Sequence, residues 1–170
     1  MLRSTSTLKL AAADKICNAA IAAVRNLSKP SPVCVTVLDS AGNVLVQKRM
    51  DGCPAGAYLK FSYAKARTCI HLQTSSRKFR EKYTSSGESP AFTQASSMVS
   101  IMDGELIPVA GGALIKSADD DSIVGAIGVS GAAANEDEYL ALQGVAALNQ
   151  GTGVMFVTEP PEHCCNTLKE

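Results

Sequence analysis

The sequence predicts an α+β domain in which helices cover both faces of an antiparallel sheet. Three observations lead there. Runs rich in β-branched residues are joined by short turn sequences that suit hairpins. Longer segments with a 3.6-residue apolar period stand before, between and after those runs. The regular βαβ alternation that a doubly wound parallel sheet requires is absent.

Leu8, Ala12, Ile16, Ala20, Ala23 and Leu27 recur at helical spacing and predict a first helix over 8–27, ended by the prolines of "SKPSP". "VCVTVLD" (33–39) is nearly continuous in apolarity, as a strand covered on both faces would be. "DSAGN" then makes a hairpin loop, and "VLVQKRM" (44–50) returns as the second strand. "DGCPAG" breaks the pattern before a second helix over 57–73, with Leu59, Tyr63, Ala66 and Ile70 as its apolar stripe. The polar, basic stretch that follows reads as a short helix and an exposed loop, and "PAFTQASSMVSI" as another short helix. "GELIPVA" (104–110), "GGALIK" (111–116) and "SIVGAIGVSG" (122–131) read as a three-strand meander. "NEDEYLALQGVAAL" closes with a helix, and "GTGVMFVTE" is an edge strand or an arm. Residues 1–150 form one domain in this reading, and 151–170 a C-terminal extension or arm.

Composition narrows the class of function. Sixteen basic residues balance sixteen acidic ones, so no charge excess recruits nucleic acid or an anionic membrane surface. A small-molecule ligand or a protein partner is easier to defend, and the low net charge favours self-association. No apolar run approaches the roughly 18 residues of a membrane span. Six cysteines lie scattered without repeated CxxC spacing, which points to reduced thiols and a cytoplasmic setting rather than a disulfide framework. Arg3, Lys9 and the early hydroxyl residues suggest a transit peptide, but the helical phase continues past Ala20 and favours the first helix.

The spacing of Gly125, Gly128 and Gly131 raises the question of a phosphate loop. A dinucleotide fingerprint needs GxGxxG inside a βαβ unit, and a Walker loop needs GK[ST]; neither condition is met. On a strand, Val124, Ala126, Gly128 and Ser130 point one way, and Ile123, Gly125, Ile127 and Val129 the other. Small residues on one face mark close approach by a helix or a ligand, with helix packing the simpler reading. Asn135, Glu136 and Asp137 put caps and negative charge at the next helix N-terminus, where they would repel a phosphate.

"VTVLDSAGNVLVQKRMDG", "YAKART", "IPVAGGALIK" and "IVGAIGVSGAAANEDEYLALQG", in this order, resemble the GlcG/HbpS-like family over about 8–148. The resemblance implies a profilin-like fold, a five-stranded antiparallel sheet with helices on both faces, assembled as a homo-oligomer. It implies haem as a cofactor in some members. It carries Arg49 and Asp51 onto an RMDG turn, Lys65 onto a lysine-bearing helix, Gly111 and Gly112 onto a GG turn, and Ser130, Gly131 and Asp137 onto a VSG-acid segment. Cys53 departs from the small residue usual after that turn.

Haem requires an apolar slot and an axial donor. Cys53, in a Cys-Pro pair, and His71 are the candidate haem ligands, although His71 also reads as a plain helix-end residue. Arg49 can fork onto a carboxylate or bond Asp51 or the turn backbone; Lys65 can steer an anion, act as a base if buried, or snorkel. His163, Cys164 and Cys165 fall short of a closed zinc site, and "ADDD" (118–121) reads as a solvated turn, so no metal site is assigned. The leading expectation is a cytoplasmic oligomer binding haem or another small anionic metabolite. The alternatives are an enzyme acting on a small oxo or hydroxy acid through Lys65 or Asp137, and an interaction protein using its scaffold and tail. No Ser-His-Asp or Cys-His arrangement supports a hydrolase.

Overall fold

A computed structural model describes residues 7–54, 56–84, 89–150 and 156–159. His163, Cys164 and Cys165, and residues 85–88 of the expected exposed loop, lie outside the described residues.

Five strands form one antiparallel sheet in the order β2-β1-β4-β3-β5. They are β1 (Cys34–Asp39), β2 (Val44–Arg49), β3 (Gly112–Ser117), β4 (Ile123–Ser130) and β5 (Phe156–Glu159). Central β1 and β4 are buried almost throughout, as their unbroken apolar runs require. At the β1–β2 hairpin, Asp39 Oδ1 accepts from the Ala41 and Asn43 backbone N–H groups at 2.9 and 2.8 Å, fixing the turn.

Helices α1 (Leu10–Ala23) and α5 (Ala134–Ala146) cover one face, and α2 (Ala57–Leu72) covers the other. Ile16, Ala20, Val35, Ile127, Leu140 and Val145 belong to the larger core under α1 and α5. Helices α3 (Ser76–Thr84) and α4 (Ser89–Ile101) enclose a separate cluster of Phe79, Tyr83, Ala95 and Leu106.

Three readings need correction. "GELIPVA" forms no strand: Pro108 has no N–H for a ladder, and side-chain contacts to α2 hold the segment as irregular backbone. Its place in the sheet is taken by β5, which pairs with Leu114–Ser117. The inward stripe of α2 is Ser62, Ala66 and Cys69 rather than the bulkier Leu59, Tyr63 and Ile70, which lie at the margins. A register shift beside β3 also turns Val124 into the α1–α5 core and Ile123 toward α2, reversing the predicted faces at the start of β4.

The glycines explain the small stripe. A Cβ on Gly128 would strike the Ser62 carbonyl oxygen and the Ala66 nitrogen, and one on Gly112 would strike the Lys65 carbonyl oxygen. Helix α2 therefore rests its backbone directly on β3 and β4. Close helix packing is what the glycines serve.

Candidate functional site

Beside this contact lies a closed polar cluster. The Lys65 ammonium donates to Asp137 Oδ2 at 2.7 Å and to the Val129 carbonyl at 2.9 Å. Asp137 Oδ1 accepts the Ala132 N–H at 3.0 Å, while Glu136 accepts that of Ala133, so these acids satisfy the start of their own helix. Burial pushes the Asp137 carboxyl up to about 6, against the opposing pull of Lys65. Gly111, at φ 124°, covers the pair: a Cβ there would stand 2.8 Å from Lys65 Nζ. The Gly112 N–H donates to Ser76 Oγ at 2.8 Å. Lys65, Gly111, Gly112 and Asp137 are thus brought together, but as a sealed joint among α2, α5, β3 and β4.

Arg49 and Ser130 lie in one cross-strand row with Cys34 between them. Arg49 Nη1 donates to the Cys53 carbonyl at 2.6 Å, so the guanidinium bonds the turn backbone. Arg49 and Asp51 are exposed and border a shallow hollow of about 600 Å³ with Ile21, Lys48 and Met50. Lys48 is held there by Asp14 at 2.6 Å. Ser130 is buried at the end of β4, and Gly131, at φ 143°, turns the chain beneath the Pro32 carbonyl. Lys65 therefore sits inside the protein, while Arg49 and Asp51 stand on the sheet edge.

Both candidate haem ligands have partners within the fold. The Cys53 thiol is buried against Cys34, with their sulfurs 3.6 Å apart. His71 Nε2 lies 2.8 Å from Glu105 Oε2, and Arg67 and Tyr63 bond the same carboxylate. Those partners hold Glu105 below the usual carboxylate range. The cluster fastens the irregular 102–110 segment to α2, assisted by the Ile107 N–H donating to Thr68 Oγ1 at 2.8 Å.

A different hollow, of about 460 Å³, opens where the end of α2 meets α3 and α4. Leu72, Phe79 and Met98 give it an apolar lining; Thr74, Lys78, Lys82 and Tyr83 complete it. The Phe79 and Tyr83 rings meet edge to face at 5.4 Å, and Lys82 Nζ stands 5.4 Å from the Tyr83 ring centroid. The signal was present in "RKFREKY", where Phe79 and Tyr83 share one helix face and Lys78 and Lys82 a neighbouring one. The expectation of a polar, basic short helix there did not extend to a hollow.

Tyr83 and Met98 are side chains of types that can ligate haem iron, and two lysines can meet carboxylates. The donor set and the apolar lining therefore fit haem better here than at Cys53 or His71.

The crystal structure of Klebsiella pneumoniae protein ORFY is similar at 23% identity and TM-score 0.75, covering 89% of this chain and 97% of that one. That of PduOC in complex with haem is similar at 21% and TM-score 0.71, covering 88% and 97%. These two establish the likeness of fold. A Streptomyces reticuli HbpS double mutant shares 28% identity at TM-score 0.69, covering 89% of this chain and 92% of that one. No curated protein matches the chain. Residues 8–146 match the model of the family described as haem-degrading protein HbpS-like. Four sequence motifs, the five-stranded sheet and that match over most of the length converge: the chain belongs to the HbpS-like family.

Proposed function

We propose that the protein binds haem, or a comparably flat apolar anion, in the hollow between the end of α2 and the α3–α4 pair. One observation carries the reading: an apolar cleft that joins Phe79 and Met98 to Tyr83 and to two lysines. The family description and the haem complex of PduOC support haem as the ligand class. When bound, haem supplies a redox-active iron. Leu72 and Phe79 would exclude water from it, Tyr83 or Met98 would hold its iron, and Lys78 and Lys82 would hold its carboxylates.

A smaller anionic metabolite at the RMDG turn is the second reading, supported by Lys48 and Arg49 beside the hollow there. An enzyme working through Lys65 or Asp137 gains no support, because each side chain is about 3% exposed and engaged with the other. We extend the proposal to a cytoplasmic homo-oligomer, supported by exposed Leu10, Phe92 and Ile101 and by four buried cysteines that form no disulfide among the described residues. Among the described residues no helix is long and apolar enough to cross a membrane.

Haemin titration tests this. Wild-type protein is expected to give a saturable Soret shift, with Lys78→Ala/Lys82→Ala weakening binding about tenfold, the scale of one lost ion-paired contact. Tyr83→Phe or Met98→Ala should change the spectrum of the complex if that residue holds the iron. A wild-type titration without saturation overturns haem binding. Loss of binding in Arg49→Ala with none in the lysine pair moves the site to the RMDG turn.

A further inference from the structure

We propose that Cys34 and Cys53 constitute a reversible disulfide site that small hydroperoxides oxidise. Their sulfurs are 3.6 Å apart, across 19 positions of sequence. A disulfide needs about 2.05 Å, so the sulfurs must close by about 1.5 Å. Cys34 is fixed at the start of β1, paired on one side with Arg49 and on the other with Ser130. Cys53 is carried by a surface turn: Asp51, Gly52 and Pro54 are exposed around its buried side chain. The movable partner is therefore the one next to solvent.

The same geometry sets the order of events. Cys53 stands on the exposed turn, where a peroxide meets it first, and Arg49 Nη1 holds that turn through the Cys53 carbonyl. Burial and the neighbouring sulfur push Cys34 up to about 12, so it keeps its proton and follows second. The Cys53 sulfur attacks a peroxide oxygen; the O–O bond breaks, and the departing alkoxide or hydroxide leaves with the proton of the Cys53 thiol. Cys53 is left as the sulfenic acid. Cys34 sulfur then attacks Cys53 sulfur, the S–O bond breaks, and the hydroxide leaves with the Cys34 proton as water. Two thiols supply the two electrons that reduce one hydroperoxide to an alcohol and water. A dithiol reverses the bond by exchange.

Two other thiols provide internal controls. Cys69 Sγ donates to the Lys65 carbonyl at 3.3 Å within α2, and burial pushes the Cys17 thiol in α1 up to about 11. The inference goes beyond ligand binding and holds whichever hollow is occupied. The bond would tie the RMDG turn to β1 and enclose the whole β1–β2 hairpin in a covalent loop.

The full chain is treated with hydrogen peroxide, denatured, alkylated and mapped by peptide mass spectrometry. A cross-linked peptide joining Cys34 to Cys53 is expected, two hydrogens lighter, restored by dithiothreitol, with Cys17 and Cys69 still alkylated. Cys34→Ser should leave Cys53 as a sulfenic acid that dimedone traps; Cys53→Ser should leave Cys34 a thiol. If either variant fails to fold, the wild-type cross-link decides alone. The proposal is overturned if Cys34 and Cys53 both remain alkylatable while other cysteines oxidise, or if the cross-link joins a different pair.

Discussion

Lys65 and Asp137, 72 positions apart in the chain, meet at 2.7 Å with each side chain about 3% exposed. A buried pair of this kind contributes little net stability, yet removing one partner strands the other charge. Lys65→Met or Asp137→Leu alone should cost about 3–5 kcal/mol in chemical denaturation. The double substitution should recover most of that loss. Single variants within about 1 kcal/mol of wild type would show that water reaches the pair.

The Asp137 carboxyl should also mark the pH profile. Its value in the folded protein is about 6, above the ordinary 3.8, so the folded state binds this proton more tightly than the unfolded state. The associated stability is fully present below about 3.8 and is lost as pH rises through about 6. Urea titrations at a series of pH values should show this fall in wild type but not in Lys65→Met/Asp137→Leu. An identical slope in both proteins would assign the effect elsewhere.

Gly128→Ala should destabilise by about 3 kcal/mol, the upper range for overpacking, because the new methyl meets helix backbone rather than a flexible side chain. Thermal unfolding followed by circular dichroism measures it. A neutral result would mean that α2 can lift off the sheet at no cost.

Glu105→Ala should release the 102–110 segment from α2, since Arg67, His71 and Tyr63 all lose their shared acceptor. The Ile107 amide, bonded to Thr68, should exchange with solvent at least several-fold faster, with β1 and β4 unchanged. Uniform acceleration across the sheet would instead indicate global loss of stability.

These outcomes trace what local pattern can and cannot reveal. β1 and β4 were legible because a strand covered on both faces needs a continuous apolar run, and both have one. The segment 104–110 has similar apolarity, but its fate was decided by Pro108 and by a carboxylate reaching three side chains on another element. The Lys65–Asp137 pair left no trace in spacing, since only the closed fold brings those positions together. The RMDG residues and the GG turn were located by motif, yet their surroundings differ: one set stands at the surface and the other is sealed beneath α2. The α3–α4 hollow escaped because three separate segments contribute to its lining.

The seating of α2 on Gly112 and Gly128 also sets where this sequence is free to drift. If positions 62, 66, 112 and 128 were randomised together, nearly every survivor would carry glycine, alanine or serine, whatever ligand the selection used. Randomising exposed Val44 on the outer strand would return a broad mixture. The contrast is between a site that specifies a distance between two backbones and one that specifies only a side chain's chemistry.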